Sequence, residues 1–104
     1  MLLELATLAS AQTRPAAQRF SGVITDSECV IADHKQMQMG DTDAECVQAC
    51  IEAHGASDVL YTGKATYALS DQKAPATFAA KKVTVVGVVD AQKKVIQVQS
   101  ITAG

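Results

Sequence analysis

From Phe20 onward, apolar and polar positions follow each other in short runs, and one stretch breaks that rhythm. Residues 20–25 (FSGVIT) put Phe20 and Ile24 on one face, as a half-buried strand does, and Asp26-Ser27 ends the run. A polar stretch follows at 28–41 (ECVIADHKQMQMGD), read as a loop closed by Gly40. Thr42 or Asp43 can then cap a helix running to about His54. Glu45 stands three positions after Thr42, the spacing of a capping box, and Gly55 supplies a C-terminal stop. Within that helix Cys46, Cys50 and His54 recur every four residues and so form one stripe.

The second half carries a period of two. Residues 58–62 (DVLYT) and 65–70 (ATYALS) flank Gly63-Lys64, a two-residue hairpin signal. A turn at 71–75 and a short helical turn at 76–80 lead into 83–89 (VTVVGVV), where Gly87 marks a bulge or corner. A tight connection at 90–94 precedes a last strand at 95–102 (VIQVQSIT). Val83, Val85, Ile96 and Val98 are the expected core positions of this pair. The order β-α-β-β-β-β gives a mainly β fold with one helix, expected as a small five-stranded barrel of OB type.

Composition narrows the picture further. The chain has 104 residues, 48% of them hydrophobic, which suits one globular domain. With two Phe, two Tyr and no Trp, its core must be aliphatic. No apolar run approaches the roughly 20 residues of a bilayer-spanning helix. Charge is uneven: residues 20–58 hold eight acids against Lys35, whereas 59–104 hold six lysines against Asp71 and Asp90. With scattered lysines and few aromatics for base stacking, nucleic acid is not an expected partner. The start (MLLELATL, then Ala9-Ser10-Ala11) reads as the residue of an export signal over 1–11, with cleavage before Gln12. Residues 12–19 then form a tether, 20–104 form the domain, and the location is periplasmic or secreted.

Candidate chemistry is concentrated. Three cysteines and two histidines all fall between positions 29 and 54, as Cys29-x4-His34 and Cys46-x3-Cys50-x3-His54. Thiolate and imidazole are the donors of zinc and of softer ions, and four suffice for a tetrahedral site. The expected ligands are Cys29 and His34 from the loop and Cys46 and Cys50 from the helix. His54, Met37, Met39 and Asp26 are supporting positions around them. Zinc is the first choice, and copper the second because Met37 and Met39 add thioethers. In an oxidising compartment the same cysteines can instead pair, Cys29 with Cys46 or Cys50, leaving one thiol over. Ser27 with a histidine lacks a nucleophile elbow, the acids around Cys29 oppose thiolate formation, and no C-x-x-C-H haem motif occurs. A non-enzymatic role is expected.

The pattern F-S-G-V-I-T-D-S-E-C (20–29), His34, D-A-E-C-V-Q-A-C (43–50), Tyr67-x-Leu69 and K-K-V-T-V-V-G-V-V-D (81–90) resembles a family of small exported bacterial proteins of unknown function. The likeness covers about residues 20–102. Val30 stands where the family pattern tends to have Gly. The C-terminal hairpin is also similar to exported bacterial OB-fold domains. The resemblance implies an OB-like fold and an envelope location, and it assigns no catalytic residue. Two functions remain in view: a module holding zinc or copper, and a disulfide-stapled interaction domain without metal.

Overall fold

The computed structural model describes residues 16–33 and 40–104. Its elements run β1 (Gln18–Asp26), α1 (Asp43–His54), β2 (Asp58–Tyr61), β3 (Thr66–Leu69), a single 3₁₀ turn (Pro75–Phe78), β4 (Lys82–Asp90) and β5 (Val95–Ala103). The β-α-β-β-β-β order expected from the pattern is present. β1 begins at Gln18, so the last two residues of the 12–19 segment are strand. Among the described residues, no helix is long and apolar enough to cross a membrane.

The five strands close into a ring in the order β1-β2-β3-β5-β4. Four of the five pairings are antiparallel. The fifth, between β3 and β5, is parallel, with Ala68 opposite Val95 and Leu69 opposite Ile96. Closure depends on β1, whose residues Gln18 to Val23 pair with β4 and whose residues Val23 to Asp26 pair with β2. The changeover between its two partners falls at Val23. Gly22 lies next to that changeover, where a Cβ would run into the Tyr61 carbonyl.

Inside the ring, Ile24, Leu60, Leu69, Val83, Val85 and Ile96 form the buried core. It is aliphatic, as the aromatic shortage requires. Val83, Val85 and Ile96 are buried as the alternation predicts, whereas Val98 is half-buried. The reason is local. Val98 pairs across the ladder with Gly87, which offers no side chain to cover it, next to the register shift at Val86/Gly87.

α1 begins as its sequence dictates. Thr42 Oγ1 accepts from the Glu45 N–H at 3.1 Å, and Glu45 Oε1 accepts from the Thr42 N–H at 3.1 Å. Gly55 ends the helix in the left-handed region, at φ 68°, where its N–H donates to the Cys50 carbonyl. The face bearing Cys46, Val47 and Cys50 is buried, and the helix packs against β1.

Candidate metal centre

The loop half of the site is set by the end of β1. Asp26 Oδ1 accepts the N–H groups of Glu28 at 2.9 Å and Cys29 at 3.0 Å, which folds the chain back directly after the strand. Thr25 donates its hydroxyl to the Cys29 carbonyl at 2.8 Å, and Thr66 of β3 donates to the Val30 carbonyl at 2.7 Å. Ser27 and Ser57 exchange two hydrogen bonds, Ser27 N–H to the Ser57 carbonyl at 2.8 Å and Ser57 N–H to Ser27 Oγ at 3.0 Å. The turn is thereby fastened to the start of β2, and Cys29 is held over the helix.

The helix half follows from the four-residue spacing. Cys46 and Cys50 point the same way and meet Cys29. The three Sγ atoms all lie within 4.8 Å of one another, and all three residues are buried. No disulfide joins them. A second group of close donors contains Glu28, Cys50 and His54. There His54 Nδ1 lies 2.9 Å from Glu28 Oε1, at the solvent-facing rim of the cluster.

Of the expected ligands, the fold therefore brings Cys29, Cys46 and Cys50 together. His34, Met37 and Met39 lie outside the described residues. The imidazole placed beside the cluster is that of His54, which lies near Cys50 one turn further along the same stripe. Asp26 underlies the cluster and shapes the turn that carries Cys29. Glu28 is not among the residues the sequence marks as ligands or supporting positions. Its position two residues past the strand end, in a turn that faces a helix C-terminus, is a non-local fact.

The electrostatics are those of buried thiols beside buried carboxylates. Burial, and after it the nearby Asp26 carboxylate, pushes the Cys29 thiol up to about 11 and the Cys50 thiol up to about 12. As thiols, these groups hydrogen-bond among themselves. Across the β1–β2 pair Asp26 stands opposite Asp58, and both are buried. Asp26 Oδ2 and Asp58 Oδ1 are buried without a hydrogen-bond partner. Burial first, and Asp26 second, pushes the Asp58 carboxyl up to about 6. Gln72 secures the Asp58 backbone instead: its Oε1 accepts the Asp58 N–H at 2.8 Å, and its Nε2 donates to the Asp58 carbonyl at 3.0 Å.

Chemically, a cluster of three sulfurs and a rim imidazole is a donor set able to hold a metal ion. No protein-family model, curated protein or solved structure matches the chain.

Proposed function

We propose that the protein is an exported, non-enzymatic module that holds a metal ion, zinc first and copper second, through Cys29, Cys46 and Cys50 and one histidine. The observation that carries this reading is the convergence of three buried sulfurs from two elements within 4.8 Å. Tetrahedral zinc with Zn–S of about 2.3 Å needs sulfurs about 3.8 Å apart, so a contraction of about 1 Å at most completes the site. The sequence offers His34 as the fourth donor, and the described residues offer His54. A Glu28 carboxylate on Nδ1 leaves Nε2 of His54 for an ion, the usual way a carboxylate orients a metal-binding imidazole.

The ring order and its one parallel pair support an OB-type barrel. In that architecture the β1–β2 and β4–β5 loops border the ligand-binding face, and the cysteines occupy the β1–β2 connection.

The test is metal content with thiol titration and intact mass, on protein recovered from the envelope of a native-like host. The expected result is close to one metal per chain, thiols that react only after chelation, and loss of metal in Cys46→Ser and Cys50→Ser. His34→Ala and His54→Ala, compared side by side, identify the fourth donor. A metal-free chain two mass units lighter than the reduced form would establish the disulfide-stapled interaction domain instead. Three reactive thiols without metal would overturn both.

A further inference from the structure

Among the described residues, the set of mutually close donor atoms at the cluster holds three sulfurs and stops there; His54 belongs to a different group, with Glu28 and Cys50. Three donors around a divalent ion leave a complex with one net negative charge when all three are thiolates. Among the described residues, its surroundings do not balance that charge. The Asp26 carboxylate lies close enough to act electrostatically on Cys29 and Cys50, its Oδ2 is buried without a partner, and Asp58 faces it across the strands. The basic group at the rim, His54, is engaged by Glu28. In a buried site, a complex carrying uncompensated charge is disfavoured against a neutral one.

A trivalent, thiol-seeking centre meets both conditions. It bonds three thiolates from one side as a pyramid, needs no fourth ligand, and is neutral when they are all in place. Building on the reading that these sulfurs form a binding site, we infer that the cluster takes up arsenous acid, As(OH)3, as a three-thiol complex. In the step, three As–O bonds break and three As–S bonds form. Each thiol proton leaves with a hydroxide, so three waters are released and arsenic stays trivalent. No net proton is lost or gained, whereas a divalent ion must displace protons from the sulfurs it binds. Access is also suited to such a ligand. Cys29 keeps 6% of its surface exposed, the Glu28–His54 pair lies beside Cys50, and an uncharged molecule reaches buried sulfurs with less desolvation than a hydrated dication.

The experiment uses the reduced full chain, sodium arsenite alone and zinc chloride alone, with native mass and thiol titration as readouts. The expected result is one arsenic per chain, loss of all three titratable thiols, and the same uptake at pH 6 and pH 8. Cys29→Ser and Cys46→Ser, checked for native helix and strand content by circular dichroism, should lose the adduct on dilution. An adduct consuming only two thiols, or one that a Ser variant retains equally well, would overturn the inference. Zinc bound firmly with arsenite refused would overturn it while leaving the metal module standing. Refusal of both would remove both readings, and the wild-type chain alone suffices for these outcomes.

Discussion

Asp58→Asn should stabilise the protein, and only above a particular pH. Asp58 is 3% exposed, its Oδ1 has no hydrogen-bond partner, and its carboxyl is raised from 3.8 to about 6 by burial and by Asp26 opposite. A group whose folded pKa is raised favours the folded state when protonated. Its contribution is therefore complete below the unfolded value near 3.8 and is lost as pH rises through about 6. At about 1.4 kcal/mol per unit, ionised Asp58 weakens the fold by up to roughly 3 kcal/mol at pH 8. Asparagine has nearly the same shape and never ionises, and some of the gain is lost because the amide must itself find partners. The net expectation is about 1 to 3 kcal/mol of added stability at pH 8, and little change at pH 4.5. With a urea slope of about 1 to 3 kcal/mol per molar, that is a midpoint shift of about 1 M. Urea unfolding of both chains, reduced and with chelator, at pH 4.5 and pH 8 measures it. A variant that is less stable than wild type at pH 8 would show that the ionised carboxylate has a partner, and would refute the reasoning.

Val85→Ala, inside the ring, should lower stability by about 1 to 3 kcal/mol by urea unfolding, and no loss would place that strand face at the surface. Thr42→Ala removes the side-chain acceptor of the capping box and should lower stability by about 1 kcal/mol, with α1 amides exchanging faster by NMR. Zinc affinity should fall steeply with acid between pH 8 and pH 6, since Cys29 and Cys50 start from about 11 and about 12 and must lose protons to bind. A pH-independent zinc affinity would rule out thiolate ligation. If His54 is the fourth donor, Glu28→Gln should weaken zinc binding about 10-fold or more in competition with a chelator, without changing the thiol count.

Local chemistry was legible in the sequence, and long-range placement was not. The Thr42–Glu45 capping box, the Gly55 stop and the irregularity at Gly87 each depend on residues a few positions apart, and each is present. The alternation of β4 and β5 predicted three buried residues and missed only Val98, because a period of two does not reveal that the cross-strand neighbour is a glycine. The parallel β3–β5 pairing left no mark in either strand, since register across a ring is a property of closure. At the site, the i, i+4 spacing brought Cys46 and Cys50 to one face. The meeting with Cys29 depends on a turn built by Thr25, Asp26 and Thr66, and Thr66 is far along the chain. The Glu28–His54 contact and the facing of Asp26 and Asp58 likewise arise from how β1 docks on β2 and α1.

Asp26 and Asp58 are cross-strand neighbours, so the segment that leaves the sheet after one returns to it at the other, within the ~5 Å that separates paired positions. Everything between them, including all three cysteines, is a detour with almost coincident ends. Among the described residues, none packed inside the ring comes from that detour. The frame and the thiol-bearing excursion can accordingly diverge at separate rates. Substitutions at the three cysteines fall outside the interior aliphatic cluster, and a short hairpin turn could join the two strands in its place. The architecture is thus a closed holder with an inserted head, whose thiol-bearing residues can be replaced without rebuilding the scaffold.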